Sequence, residues 1–309
     1  MPDDELSQFK KQVNLSEFAA SRGYILDKRE SSSNSAVMRN QYDDKIVIAK
    51  NEASGDWIYF SVRNDFDNGT IIDFLQNRNG GTLGVVRQKL RAWLGGSRPA
   101  GVQMPAFASD LLPVSRDRAG VMAAWAGARA CTALPYLTAR GLGPDVLALP
   151  RFAGRVRVDR RDNALFPHYD KDGLCGFEIK NTGFTGFAPG GVKGLWHSAT
   201  RSTDFWLVLT ESAIDAVSFH VLHGGDSSRY MSTGGALNPQ QPALLRGAIE
   251  KMPENAVIIL GFDLDEGGEK LAQEVAAFAP AGRQLRRMLP DAGTGKDWNE
   301  APKCRFGLT

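Results

Sequence analysis

Residues 262–272 read "FDLDEGGEKLA". Two aspartates, Asp263 and Asp265, stand one residue apart, followed by two glycines and the start of a helical pattern. Carboxylates this close disfavour each other's ionised form, so a cation or a set of hydrogen-bond donors has to compensate for them. Taken alone, the pair allows two readings. Asp265 can cap the helix that begins near Gly267, or both acids can offer hard oxygen ligands to a divalent metal. The preceding run, "AVIILGFD" over 256–263, is continuously apolar, as in a strand buried on both faces.

Working outward, "FWLVLTES" (205–212) and "YMSTGGAL" (230–237) read as further buried strands. Between them Ile214, Val217 and Val221 form a helical stripe that stops at Gly224-Gly225, and "GEKLAQEVAAFA" (268–279) is another helix. Alternating strands and helices predict a parallel α/β sheet. In such sheets functional side chains gather beyond the carboxyl ends of the strands. Here those ends carry Glu211, the run Ser232-Thr233-Gly234-Gly235, and the pair Asp263 and Asp265, while "LPDAGTGKDWNE" (289–300) adds Asp297 and Glu300. Neighbouring parallel strands would bring Glu211 near the two aspartates, a donor set suited to Mg²⁺ or Mn²⁺. Singly, Glu211 reads as a charge on a helix dipole and Asp215 as a solvated helix position. The ordered set is what points to a metal.

Upstream, residues 1–95 read as a small mixed α+β unit. Leu15, Phe18 and Ala19 sit at helical spacing before Gly23, and "KIVIAKNEASGDWIYFSV" gives two strands around a turn. "GTIIDFLQNRNG" and "GTLGVVRQKLRAWL" supply two more helices. Residues 96–118, rich in proline and glycine, read as a linker or extended arm. From 119 to 203 the pattern is antiparallel, with Asp172-Gly173 as a hairpin turn. Within it "RFAGRVRVDRR" places Arg151, Arg155, Arg157, Arg160 and Arg161 within eleven residues. Arg155 and Arg157 alternate with Val156 and Val158, so a strand there would present a positive stripe to phosphates, unless it is a charged edge strand that resists aggregation.

The 309 residues carry a formal charge of +2, which neither demands nor excludes nucleic acid. No apolar run reaches the roughly 20 residues of a membrane span, and the N-terminus lacks a secretion signal. Cys131, Cys175 and Cys304 are far apart and form no CxxC pair, which fits a reducing, cytoplasmic setting. They read as buried small hydrophobes, and His168 as structural.

Residues 205–300 resemble a toprim domain, the catalytic fold shared by DnaG-type primases, type IA and II topoisomerases and certain nucleases. The family's glutamate with an aspartate four residues on matches Glu211 and Asp215 in "TESAID". Its glycine-rich strand end matches Gly234 and Gly235. Its D-x-D and glycine match Asp263, Asp265 and Gly268, and its closing lysine-aspartate matches Lys296-Asp297. Before it, "YLTARGL", "NALFPHYDKDGLCGFE" and "GVKGLWHS" resemble the basic subdomain that precedes toprim in DnaG-type primases. "NGTIIDFLQ" is similar to the end of the primase zinc-ribbon domain. Residues 1–130 hold neither cysteine nor histidine, so this unit cannot build a Cys/His zinc site, and no zinc is expected. If the ribbon fold persists, packing of Trp57, Tyr59 and Phe60 has to replace the metal.

The resemblance implies a toprim domain over 204–309, a basic subdomain over 119–203 and a zinc-less ribbon-like domain over 1–95. It further implies a compact primase of plasmid or mobile-element type, without a helicase motor of its own, that makes primers on single-stranded DNA. Glu211, Asp263 and Asp265 would be catalytic, and with Asp297 would hold Mg²⁺ or Mn²⁺. Arg151, Arg155, Arg157, Arg160 and Arg161 would track the template, and Lys180, Lys193, Gly234 and Gly235 would meet the nucleoside triphosphate. A separately encoded helicase is an expected partner. The alternatives are a metal-dependent nuclease using the same acids and a non-catalytic nucleic-acid-binding module.

Overall fold

The computed structural model describes residues 4–51, 54–62, 67–96, 105–112, 115–291 and 295–300. The chain divides into two compact units, Met1–Ser115 and Arg116–Thr309.

The first unit comprises α1 (Asp4–Gln12), α2 (Leu15–Ala20), β1 (Ile25–Leu26), β2 (Ser35–Arg39), β3 (Lys45–Lys50), β4 (Trp57–Ser61), β5 (Asn68–Thr70), α3 (Ile71–Asn79) and α4 (Leu83–Leu94). Its strands form one antiparallel meander in the order β1-β2-β3-β4-β5. Phe18, Phe74, Trp57 and Tyr59 are buried in its core. Phe60, expected to share that packing, instead faces solvent at 51% exposure, because successive residues of β4 point to opposite faces. The motif "NGTIID" is a capping box. Asp73 Oδ2 accepts from the Thr70 nitrogen at 2.7 Å, and a Cβ at Gly69 would fall 2.4 Å from that same oxygen.

A polar hub lies beside this core. Arg78 donates to both carboxylate oxygens of Asp67 at 2.9 and 2.7 Å, to Asp44 at 3.0 Å and to the Tyr24 hydroxyl at 2.8 Å. Its guanidinium lies 4.3 Å over the Phe74 ring. The hub ties α3 to β4 and to the loops around Asp44 and Asp67 in one charge-assisted network. The linker expected over 96–118 is, in its described part, a fixed arm. The Ala108 nitrogen donates to Ser16 Oγ at 2.8 Å, Asn14 Nδ2 donates to Ser109 O at 2.8 Å, and Leu111 is buried in the same core.

The second unit comprises α5 (Arg118–Gly127), β6 (Arg129–Ala130), α6 (Pro135–Thr138), α7 (Pro144–Leu147), β7 (Arg157–Val158), β8 (Ala164–Asp170), β9 (Gly173–Asn181), β10 (Phe184–Phe187), β11 (Trp196–His197), β12 (Trp206–Thr210), α8 (Ala213–His223), β13 (Ser228–Ser232), α9 (Gln241–Glu250), β14 (Val257–Leu260), α10 (Glu266–Phe278) and β15 (Gln284–Arg287). One sheet is antiparallel, in the order β10-β9-β8-β7-β6, with the expected hairpin between β8 and β9. The other runs β11-β13-β12-β14-β15, its last four strands mutually parallel and β11 antiparallel on the edge. The fold is therefore α/β around a mainly parallel sheet, as the strand and helix alternation predicts.

Period-2 alternation splits that sheet into two faces. Val208, Tyr230 and Ile259 pack with α8, whereas Leu207, Leu209, Ile258 and Leu260 pack with α9 and α10. Leu137, Val156 and Phe166 join the α8-side core, so the expected boundary near residue 204 is not a break in packing. Among the described residues no helix is long and apolar enough to cross a membrane.

Candidate active site

The strand order decides where the acids meet. The chain lays down β12 first, passes through α8 to β13 on one side, then crosses back through α9 to β14 on the other side of β12. The carboxyl ends of β12 and β14 thus lie side by side at a point where the winding reverses, and there the acids gather.

Glu211 follows β12. Its carbonyl accepts from the Gly234 nitrogen at 2.8 Å and the Gly235 nitrogen at 3.2 Å, so the glycine run after β13 wraps the turn carrying it. Both glycines have positive φ, +67° and +86°, which a glycine adopts at no steric cost. Ser212 caps α8 in a reciprocal box with Asp215: Ser212 Oγ donates to Asp215 Oδ2 at 2.5 Å, and the Asp215 nitrogen donates back to Ser212 Oγ at 3.2 Å. This turns Asp215 inward, where it is buried.

Asp263 follows β14, and its loop is clamped from below by Arg287. The Arg287 guanidinium donates to the carbonyls of Leu260, Phe262 and Met288 at 2.8, 2.7 and 3.0 Å, and to that of Asp263 at 2.9 Å. The closing segment is fastened by Trp298, which is buried and donates to Gly261 O at 2.7 Å. Lys296 O accepts from the Leu264 nitrogen at 2.7 Å, which brings Asp297 to the same edge.

A cleft of about 230 Å³ results. Asp215, Asp263 and Asp297 line one wall, Lys180 and Thr185 from the antiparallel sheet another, and Tyr136 and Arg140 the third. Burial, reinforced by the charges of Asp215, Glu211, Asp297 and Asp265, pushes the Asp263 carboxyl up to about 9. Burial and the charge of Asp297 hold Asp215 up to about 6. Asp263 Oδ1 is buried with no hydrogen-bond partner. An orphaned carboxylate oxygen among like charges is what a cation-binding site needs, and its hard oxygens suit Mg²⁺ or Mn²⁺. Among the described residues, no three Asp, Glu, His or Cys side chains converge tightly enough to ligate one ion as they stand. The donor chemistry fits the metal, and side-chain adjustment would have to complete the ligand set.

The other expected site residues fall into distinct places. Asp265 caps α10, with Oδ1 accepting from the Gly268 nitrogen at 3.0 Å and Oδ2 lying 3.4 Å from Lys296 Nζ. Both of its oxygens therefore have partners, and it does not line the cleft. Lys180 reaches the cleft and pairs with Glu178 at 3.0 Å. Lys193 donates to the carbonyls of Gly234 and Ala236. It ties down the glycine loop rather than extending toward a triphosphate.

The arginine stripe breaks up in three dimensions. Arg151 is buried, donating to Asp204 Oδ1 at 2.8 Å and to the carbonyls of Ala199 and Asp226 at 2.9 and 2.7 Å, so it offers no contact to phosphate. Arg157 donates to Trp125 O at 2.6 Å and stacks on that ring, while Arg155 lies 5.8 Å over Tyr169. Arg160 and Arg161 are in the turn between β7 and β8, and both are exposed. Cys131 and Cys175 are buried free thiols, as expected, and Cys304 lies outside the described residues. Sequence reasoning left Asp215 and Arg140 off the site. The capping-box spacing Ser212-x-x-Asp215 was a signal for the first; for Arg140, only its place in "YLTARGL" hinted at a role.

Residues 208–301 match the family model described as Toprim-like, and residues 135–204 match one described as a protein of unknown function (DUF3991). No curated protein matches the chain significantly. Among solved structures, the primase fragment of the bacteriophage T7 primase-helicase protein is similar at 21% identity and a TM-score of 0.41, covering 60% of this chain and 74% of that one. The RNA polymerase domain of Mycobacterium tuberculosis primase DnaG is similar at 17% identity and a TM-score of 0.30, covering 56% of this chain and 58% of that one.

Proposed function

We propose that this toprim-containing chain is a primase-like, metal-dependent nucleotidyltransferase acting on single-stranded DNA with nucleoside triphosphates. The observation that carries the reading is the crowding of Asp215, Asp263 and Asp297 in a cleft whose facing walls supply Lys180 and Arg140. Acids alone would repel a phosphate. Acids opposite two cations form a site that accepts phosphate and metal together.

Asp263, with Asp215, Asp297 and Glu211, would hold Mg²⁺ or Mn²⁺. Such a cation supplies charge neutralisation at the transferring phosphoryl group and a more acidic attacking hydroxyl. The chain's own residues do the rest. Lys180 and Arg140 bind phosphate oxygens, Arg287 and Gly268 fix the Asp263 loop, and the Gly234-Gly235 wrap fixes Glu211. Asp265 serves as the cap that starts α10 beside the site. The order of a ribbon-like unit, a basic subdomain and toprim in the sequence is what favours primer synthesis over cleavage.

The test uses the full chain with labelled nucleotides, a single-stranded template, and Mg²⁺ or Mn²⁺. Template-dependent primers, lost in Asp263→Asn, are the expected result. The same variant should unfold at a higher temperature in metal-free buffer near neutral pH, because it removes a buried carboxyl that has to take up a proton on folding. Cleavage of the template without synthesis would select a nuclease. Binding without either reaction would overturn catalysis.

A further inference from the structure

One layer beneath the cleft, between β8, β9 and the loop after β13, lies a second group of buried charge. His168 on β8 is fully buried. Its Nδ1 is 2.8 Å from Gly194 O and its Nε2 is 3.1 Å from Glu178 Oε1. The other Glu178 oxygen is 3.0 Å from Lys180 Nζ.

A carbonyl oxygen only accepts, so Nδ1 has to carry a hydrogen. Glu178, paired with the Lys180 ammonium, is a carboxylate and also only accepts, so Nε2 has to carry one as well. Burial alone would raise the Glu178 carboxyl, but the His168 hydrogen bond and the Lys180 charge outweigh it and bring it down to about 2. A ring with hydrogens on both nitrogens is an imidazolium.

We infer that His168 is held as a buried imidazolium, and that the chain Lys180–Glu178–His168–Gly234 positions two walls of the acid cleft against each other. Gly234 makes the second connection. With φ of +67°, it packs so that a Cβ would lie 2.8 Å from His168 Cε1 and 3.2 Å from Glu178 Oε1, and its nitrogen holds Glu211 O. The ring therefore sets the height of the loop under Glu211 while its counter-ion aims Lys180 into the cleft. The remaining groups around it fit this charge state. Lys193 Nζ is directed to Gly234 O, Gln241 Nε2 shares Gly194 O at 2.7 Å, and Cys175 donates to His168 O as a thiol that burial pushes up to about 12.

The positioning role rests on the proposed nucleotidyl transfer; the charge state does not. The chain has four histidines, so nitrogen-15 histidine NMR resolves them, with His168→Gln assigning the signal. At neutral pH one histidine should show hydrogens on both nitrogens, and the other three, whose burial lowers them, should show neutral rings. Four neutral rings would overturn the inference. In Glu178→Gln, the dissociation constant for ATP with Mn²⁺ should rise by about tenfold or more, the equivalent of one lost charge-assisted hydrogen bond, and KM should rise more than kcat falls. Unchanged ATP binding in folded Glu178→Gln and His168→Gln would reduce the pair to a structural one and overturn the positioning role. Should the wild-type chain make no primers, the functional reading fails, while the NMR result still decides the imidazolium.

Discussion

Gly268 lies against the backbone of Asp263 so closely that a methyl group there would fall 2.3 Å from the Asp263 carbonyl oxygen and 2.7 Å from its nitrogen. The first turn of α10 and the loop carrying the most perturbed acid of the cleft are thus pressed together, with no room for a side chain.

Gly268→Ala should therefore destabilise the protein. A glycine-to-alanine change inside a helix ordinarily gains up to about 1 kcal/mol, but overpacking against backbone costs about 1–3 kcal/mol. The clash wins, and the Asp263 loop should shift. A lower urea midpoint with unchanged slope is expected, together with weaker Mn²⁺ binding. Gly247→Ala in α9, where a Cβ meets nothing within 4 Å, should be neutral or stabilising. Equal effects of the two changes would contradict the close approach.

In the first unit, Arg78→Leu should destabilise by several kcal/mol, toward the low end of the roughly 3–5 kcal/mol seen when one partner of a buried ion pair is removed. The arginine side chain is 17% exposed, and its partners Asp67 and Asp44 are 15% and 30% exposed. Proteolysis of the residues around β4 and α3 should accelerate in the variant. A zinc chelator should leave the wild-type unit unaffected, since the hub is made of side chains alone. Protection lost on chelation would argue for a metal clamp.

The arginines of "RFAGRVRVDRR" should separate into two behaviours. Arg160→Glu and Arg161→Glu should leave thermal unfolding unchanged and weaken single-stranded DNA binding. Each should also make the salt dependence shallower by about 0.7 units of slope, the share of one arginine on one phosphate of a single strand. Arg151→Glu should fail to fold stably, because it sets a second carboxylate against buried Asp204. Salt titrations of DNA affinity beside melting curves distinguish the cases. Unaltered DNA affinity in the Arg160 and Arg161 variants would remove the turn from the interface.

Stability should also carry a signature of Glu178. Its folded-state value, about 2, lies below the ordinary 4.5, so between those values the unfolded chain binds the extra proton. The contribution is present above about pH 4.5 and is lost as pH falls toward 2. The unfolding free-energy difference between wild type and Glu178→Gln should be constant between about pH 5 and 6 and shrink below about pH 5. A difference independent of pH across that window would show that Glu178 is not the depressed carboxyl.

Much of the α/β sheet was legible because its signals are local. "FWLVLTES" and "AVIILGFD" are strands buried on both faces, and such strands have few other readings. Glycine runs at 234–235 and 267–268 mark places where backbone approaches backbone. The arginine cluster misled for the opposite reason. A charge has no meaning until its partner is known, and the partner of Arg151 is Asp204, 53 residues away in sequence. Phe60 misled through parity, since one residue of register decides which side of a strand is buried.

By itself the sequence determined which residue types stand at which strand ends: Glu211, the paired glycines, Asp263 with Asp265, and Asp297. It also determined that they follow one another on alternating strands and helices, because hydrophobic periodicity is a property of neighbours along the chain. Only the tertiary structure decided that β12 lies between β13 and β14, so that Asp215 and Asp263 share a cleft while Asp265 turns aside to cap α10. It alone placed Lys180 opposite those acids and His168 beneath them. Burial and electrostatic coupling depend on distance through space, and chain order does not encode that distance until the sheet has closed.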